Sequence, residues 1–185
     1  WWPRRKSDCK RSFTIKWGSR WRRINYDLHN VLGFYATSIA IILAITGLSI
    51  AFDWVTKGIY KTANLGKAHP EEKVIPVSDT TNMLPNKTIY PIDIAFGEAQ
   101  QRSPQAQMFL IYDPAGTKES VGVTAYAQSL HFYKSDQYYF DRYTGELLKQ
   151  LPHEQKSNGM KMNDMNYDVH VGQILGLPGK IIAFL

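Results

Sequence analysis

The 185-residue sequence predicts an α+β membrane protein with one complete membrane-spanning helix, a small extracytoplasmic domain and the start of a second membrane helix. Three observations carry this prediction. An uncharged apolar run occupies residues 31–52, one helical pattern followed by alternating strand patterns occupies residues 88–165, and a glycine-rich apolar run occupies residues 166–185. The mean hydropathy of −0.33 hides this division, because the apolar residues are spread unevenly along the chain.

The first membrane helix is predicted over residues 30–54. Between Val31 and Phe52 no residue is charged, and at 1.5 Å per residue this run is about 33 Å long, enough to cross a bilayer core. The alternative is a buried helix of a soluble protein, but such helices seldom run this long without a charge. Aromatic residues that favour the headgroup region flank the run on both sides: Trp21, Tyr26, Trp54 and Tyr60.

The segment before this helix, residues 1–29, is strongly basic. It holds nine Lys and Arg residues against Asp8 and Asp27, whereas only Lys57 and Lys61 follow the helix closely. Positive charge collects on the cytoplasmic side, so we expect a cytoplasmic loop here, a bacterial inner membrane, and a periplasmic domain beyond it. Nucleic-acid binding is the alternative for a basic, tryptophan-containing run, but its place directly before an apolar helix disfavours that interpretation. The single Cys9 excludes an internal disulfide and any multi-cysteine metal site.

The outward part begins with a proline-containing linker, predicted over residues 55–87, and continues as a compact domain over residues 88–165. The domain opens with an amphipathic helix over Tyr90–Arg102, with Pro91 early and Ser103-Pro104 as its stop. Two antiparallel strand pairs are expected to follow, Met108–Tyr112 with Val121–Tyr126, and Gln137–Asp141 with Glu146–Leu151. Gly145 supplies the positive φ that the second turn needs. The domain is thus predicted to pack one helix on an antiparallel sheet.

Residues 166–185 predict the beginning of the next membrane helix. Their Gly-Leu-Pro-Gly step would be costly in a soluble helix but is tolerated where neighbouring membrane helices satisfy the backbone. The sequence starts without Met and stops inside an apolar run. We therefore expect the chain to be an internal piece of a longer membrane protein.

The most informative pattern is an internal repeat at the mouths of the two membrane segments. Asn25-Tyr26-Asp27-Leu28-His29 precedes the first, and Asn166-Tyr167-Asp168-Val169-His170 precedes the second. Ionisable groups at membrane helices usually face the bundle interior, where they bind ions, protons or cofactors, and imidazole is a common axial ligand of haem iron. The repeat therefore points to His29 and His170 as ligands.

A simpler interpretation stays open for both sites. Each histidine could be an interfacial residue, with the preceding aspartate as an N-cap at the helix start. The remaining histidines, His69, His131 and His153, have no metal-ligand spacing, so surface or packing roles are favoured for them.

Three runs of the sequence resemble one known family: WWPRRKSDCKRSFTIKWGSRWRRINYDLHNVLGFYA, YYFDRYTGELL and VHVGQILGLPGKII. They are similar to the PepSY-associated transmembrane family, also described as iron-regulated membrane proteins, and the similarity covers nearly the whole chain. Members include ferric-siderophore reductases, in which four membrane helices carry PepSY domains between them and histidines bind haem. By this resemblance the chain holds the end of the second helix, the third helix, an outer PepSY domain and the start of the fourth.

The resemblance implies a haem-binding inner-membrane oxidoreductase that passes electrons to an outer acceptor such as a ferric chelate in iron uptake. His29 and His170 would each hold one haem b, about one bilayer core or 30 Å apart, with partner ligands on the remaining helices of the full-length protein. No nicotinamide or flavin fingerprint is present in the sequence, so the electrons would come from elsewhere. The alternative is a non-enzymatic accessory or sensor whose PepSY domain binds a partner outside the membrane.

Overall fold

The computed structural model of the chain describes residues 13–67, 74–82, 90–113 and 115–184. Predictions that fall on residues 1–12, 68–73, 83–89, 114 and 185 lie outside the described residues; these include Cys9, His69, the five most N-terminal basic residues and the start of the outer domain. The helices are α1 (Trp21–Ala51), α2 (Asp53–Ala63), α3 (Pro91–Arg102), α4 (Asn158–His170) and α5 (Gly176–Phe184), and the strands are β1 (Met108–Tyr112), β2 (Val121–Gln128), β3 (His131–Phe140) and β4 (Leu147–Leu151). Contacts divide the chain into two compact units, residues 1–47 and 48–185.

Helix α1 is the membrane-spanning element that the uncharged run predicts. It is the one helix among the described residues that is long and apolar enough to cross a membrane, and only 6% of its most apolar window is buried. Large apolar side chains along it are exposed, among them Leu32, Ile42 and Ile45. A helix that exposes such residues suits lipid and not a soluble core.

The start of α1 corrects the predicted boundary of the basic loop. We expected loop through residue 29 and helix from residue 30, but the helix begins at Trp21. The nine residues from Trp21 to His29 contain no proline or glycine, and Arg23 Nε pairs with Asp27 Oδ1 one turn later at 2.9 Å. Such a pair at i and i+4 supports a helix.

The first part of the predicted linker, residues 55–63, is also helical. Phe52 has an extended conformation with φ −131° and ψ 116°, which ends α1 and begins α2 at Asp53. Helix α2 contains no proline, and its Asp53 in the first turn and Lys61 in the last turn complement the helix dipole. The prolines that predicted a linker come only after this helix ends.

The compact domain, which the sequence predicts to lie outside the membrane and which is called the outer domain below, has the predicted architecture. Its sheet is antiparallel with the strand order β1-β2-β3-β4, and α3 covers one face. Strand β3 begins at His131, six residues before the predicted Gln137, because it continues its pairing with β2 across a register shift between Tyr126 and Gln128. The buried core between α3 and the sheet consists of Ala95, Ala99, Val121, Val123, Ala125, Tyr138 and Phe140.

Helix α4 corrects the predicted end of the outer domain at residue 165. It begins at an N-cap, Ser157, whose side chain accepts a hydrogen bond from the Met160 amide at 3.3 Å, and it continues unbroken to His170. The helix packs on the sheet through Lys156, which lies just before it: the fully buried ammonium lies 2.7 Å from Asp164 and 2.8 Å from the Ser135 hydroxyl. Residues 166–170 therefore continue the helix that packs on the sheet, beyond the predicted end of the domain at residue 165.

A glycine allows α4 to approach α2 closely. A Cβ at Gly159 would lie 2.7 Å from Asn64 Nδ2 and 2.8 Å from the Tyr60 ring. Asn64 cannot easily move away, because its side-chain oxygen accepts a hydrogen bond from the Gly159 amide at 2.8 Å. The contact between the two helices thus depends on the missing side chain.

Gly159→Ala is expected to lower the free energy of unfolding by about 1–3 kcal/mol, the usual range for an overpacked contact. Equilibrium denaturation of the purified protein in detergent measures this effect. Gly58→Ala is the matched control, because a Cβ there meets nothing within 4 Å and helix propensity alone should leave it neutral or stabilised by up to about 1 kcal/mol. Equal stability of the two variants would contradict this account of the α2–α4 contact.

Asp141 organises the turn between β3 and β4. Its buried carboxylate accepts hydrogen bonds from the amides of Asp79 at 2.6 Å, Tyr143 at 2.8 Å and Thr144 at 2.9 Å. Burial by itself would raise the pKa of Asp141, but these hydrogen bonds outweigh it and hold the pKa below its ordinary value of 3.8. The carboxylate therefore joins the turn to the segment around Asp79.

Asp141→Asn is expected to destabilise the protein by about 1.5–3 kcal/mol at pH 7, because hydrogen bonds to a charged acceptor are lost. A depressed folded-state pKa stabilises the fold above the unfolded pKa, and this contribution disappears as the pH falls through the lower folded value. The difference in stability between the wild type and the Asp141→Asn variant should therefore close below about pH 4 in denaturation curves. Asp79→Asn keeps the amide that donates to Asp141 but loses the hydrogen bonds that the Asp79 carboxylate accepts from Thr81, so it measures the part of the pH dependence that belongs to that neighbouring carboxylate. A difference between the wild type and Asp141→Asn that stays constant from about pH 7 to about pH 2 would contradict the assignment.

Candidate functional site

The first copy of the repeat lies inside α1. Asp27 is 4% exposed; besides its ion pair with Arg23, it accepts a hydrogen bond from the Lys16 amide at 3.4 Å. Val31, one turn further, is also buried, whereas His29 is exposed. Asp27 thus fastens one side of the helix to the segment before it, and His29 lies on the other side.

The second copy lies at the end of α4. Asp168 is 1% exposed, and its carboxylate accepts hydrogen bonds from the amides of Phe132 at 2.9 Å and Tyr133 at 3.0 Å. These two amides lie opposite the register shift of the β2–β3 ladder. The carboxylate therefore satisfies backbone donors at an irregular point of the strand, as a buried polar group requires. His170, the last residue of α4, is half-buried.

The two copies share one geometry. Each aspartate is buried and accepts a hydrogen bond from a backbone amide outside its own helix, and each histidine follows two residues later. Positions i and i+2 of a helix lie about 200° apart around its axis, so the two side chains do not face each other. The aspartate anchors the helix and leaves the histidine on the opposite side.

This geometry shows that the N-cap interpretation of the aspartates is wrong. Asp27 lies well inside α1, which begins at Trp21, and Asp168 lies near the C-terminal end of α4. Neither carboxylate is placed to cap the first amides of its helix.

Two sides of helix α4 make different contacts, one with the sheet and one with α2. Asp164 and Asp168, one turn apart, face the sheet, and burial followed by the charges of these two residues raises the pKa of Tyr126 there. The other side carries Gly159, Asn163 and Asn166, which line a small cavity with residues of α2 and with Ser49. The cavity volume is about 10 Å³, room for roughly one water. His170 continues this second side one turn beyond Asn166.

The surface around His29 leaves room for a flat ligand. The imidazole is exposed two residues before the uncharged apolar run of α1 begins, and Gly33, one turn further, has open space where a Cβ would lie. A flat macrocycle can approach a helix at such a place. Within the described part of the chain no group of three or more His, Cys, Asp or Glu side chains is arranged to hold a metal ion. If either histidine held a haem iron, it would supply one ligand, and a second would have to come from another helix.

A cleft of about 510 Å³ lies beside Asp168 on the outer domain. Hydrogen-bonding side chains dominate its lining: Gln105, Gln107, Gln128, His131, Tyr133 and Lys134. This volume is in the range of small-molecule sites. His131 also contacts Gln173 at 2.8 Å, which ties the β2–β3 turn to the segment after His170.

The structure places His153 in a packing position. Its ring meets Tyr133 edge-on at 5.1 Å, and its Nδ1 is buried with no hydrogen-bond partner among the described residues. Burial, followed by the charges of Lys156 and Lys161, lowers the pKa of His153, which favours the neutral ring. His69 lies outside the described residues.

Sequence reasoning missed the anchoring role of Asp27 and Asp168. The signal was present, since the aspartate repeats together with the histidine, but a carboxylate before an apolar run is more commonly a cap. The distant partners, Lys16 and the Phe132–Tyr133 amides, could not be known without the fold.

A family model described as the PepSY-associated TM region matches residues 1–185 of the chain. No curated protein matches this chain.

Proposed function

The chain belongs to the family of PepSY-associated transmembrane regions, and on that premise we propose that it is part of a haem-binding oxidoreductase that moves electrons across a bacterial inner membrane. The family membership makes it a membrane protein with a PepSY domain. In the proposal, the acceptor lies outside the membrane and is a ferric chelate in iron uptake.

One observation supports the proposal above the others. The same five-residue pattern occurs on two helices, and in both the buried aspartate anchors the helix while the histidine lies about 200° away. An interfacial histidine needs no such repeated support. A ligand does, because axial coordination fixes the position of the imidazole.

In this proposal His29 and His170 each donate one axial imidazole, and other helices of the full-length protein supply the second. A haem bound at such a site supplies a one-electron redox centre. In the proposal the residues of this chain have three tasks: α1 holds the first imidazole at the edge of its apolar run, Asp27 and Asp168 fix the helices, and the cleft beside Asp168 holds the acceptor. The basic segment before α1 sets the orientation, with residues 1–20 on the cytoplasmic side and the outer domain in the periplasm.

Electron transfer across a closed membrane tests the proposal. We suggest the full-length protein in liposomes that contain trapped reductant, with a membrane-impermeant ferric chelate outside and a colorimetric reagent for external iron(II). The wild type is expected to form iron(II), and the double variant His29→Ala/His170→Ala is expected to fall to the rate of protein-free liposomes.

The competing function is a non-enzymatic accessory whose outer cleft binds a partner. If the protein is such an accessory, the wild type and the double variant should both form iron(II) only at the rate of protein-free liposomes. The two proteins should also bind the chelate equally well.

A further inference from the structure

The anchoring of α4 suggests a specific role for Asp168. We infer that Asp168 is a positioning residue that fixes His170 relative to the outer sheet, so that the imidazole and the PepSY domain move as one body. This inference rests on the proposed haem role of His170.

The attachment of Asp168 begins at the backbone of β3. The β2–β3 ladder shifts register between Tyr126 and Gln128, and the amides of Phe132 and Tyr133 at that point donate to Asp168. Two neighbouring amides converge on one buried carboxylate, which is 1% exposed. Hydrogen bonds to a buried charge are stronger than neutral ones, so this is a strong and directional attachment.

The second step is the short path from the anchor to the imidazole. Asp168 and His170 are joined by half a turn of regular helix, which ends at Val171 and Gly172. The Tyr167 ring, on the neighbouring position, packs edge-on against Phe132 at 5.0 Å. The last turn of α4 is therefore held on strand β3 by the Asp168 carboxylate and by the contact of Tyr167 with Phe132. These two contacts fix the position of His170.

The third step is that α4 has a separate anchor at its other end. Lys156 and Asp164 join its first half to Ser135, and Gly159 packs on α2. Loss of those contacts should loosen the start of the helix and leave its last turn on β3. The two ends can thus be perturbed separately.

Asp168→Asn tests the inference, with Gly159→Ala as the control that loosens the opposite end of the same helix. Two readouts are needed in the full-length protein: low-spin electron paramagnetic resonance of the haems, and hydrogen exchange of the peptides around residues 132–133, 157–163 and 169–172. Asp168→Asn should shift the one haem signal that His170→Ala removes, leave the other unchanged, and accelerate exchange at 132–133 and 169–172 by about ten- to a hundredfold, as the loss of charged hydrogen bonds implies.

Gly159→Ala should accelerate exchange at 157–163 and leave both haem signals unchanged. The inference is overturned if Asp168→Asn leaves exchange at 169–172 unchanged, or if both variants alter the same haem signal equally. A wild-type protein without haem would instead remove the proposed function, and the exchange pattern would still decide whether Asp168 holds the segment of His170.

Discussion

Single replacements of His29 and His170 by Ala are each expected to remove one haem from the full-length protein, lowering the haem content from two per chain to one. The reason is that in the proposal each histidine supplies one ligand to a separate haem, since the two lie on different helices, α1 and α4. The remaining haem should keep a low-spin spectrum in either single variant. The double variant should bind none at stoichiometric level.

His153→Ala and His131→Ala are the matched controls for this result. His153 packs against Tyr133 and His131 contacts Gln173, so neither is placed as a ligand. Haem extraction and absorbance spectra measure the wild type and all the variants on the same scale. Retention of two haems in His29→Ala or His170→Ala, or equal loss in the control variants, would contradict the ligand assignment.

Gly172→Ala is expected to lower the free energy of unfolding by more than about 3 kcal/mol, because of its place at the junction between α4 and α5. Its φ of +69° already disfavours any side chain. In addition, a Cβ there would lie 2.1 Å from the Gly179 carbonyl oxygen, and backbone cannot move away as a flexible side chain can. The start of helix α5 should move away from Gly172, and the protein should be recovered in low yield.

Gly176→Ala separates the two contributions. This glycine also has a positive φ, +65°, but a Cβ there meets nothing within 4 Å. Its variant should therefore show backbone strain alone, on the order of 1–3 kcal/mol. Thermal unfolding in detergent compares the stability of the two variants. If Gly172→Ala is as stable as Gly176→Ala, the close approach of Gly172 and Gly179 does not contribute to the loss of stability.

Local patterns predicted the elements of this chain well. The uncharged run predicted α1, Pro91 and Ser103-Pro104 bounded α3, and Gly145 has the positive φ, 75°, that its turn position required. In each case the information lies within a few residues, in charge, ring geometry or backbone freedom. The arrangement of one helix on an antiparallel sheet followed from their order and is confirmed.

The errors arose where structure depends on distant partners. The prolines at positions 70, 76 and 85 predict a linker over residues 55–87, but residues 53–63 before them contain no proline and form α2. The end of the outer domain was placed at residue 165 because the apolar run begins there, but α4 is held on β3 as far as Asp168. Bonds such as Lys16 to Asp27 and Phe132 to Asp168 join segments that the sequence does not show to be neighbours.

The candidate site was predictable only as a pair of histidines in a repeated pattern. The structure adds that the repeated aspartate anchors each helix and that the imidazole lies on the other side. The anchors could not be predicted, because both carboxylates are held by backbone amides from other segments of the chain.

The reduced-minus-oxidised visible spectrum of the purified full-length protein, combined with a haem assay, tests the central claim most directly. The account predicts sharp low-spin bands of haem b and two haems per chain. A protein that is correctly folded and inserted but shows no haem bands would contradict it.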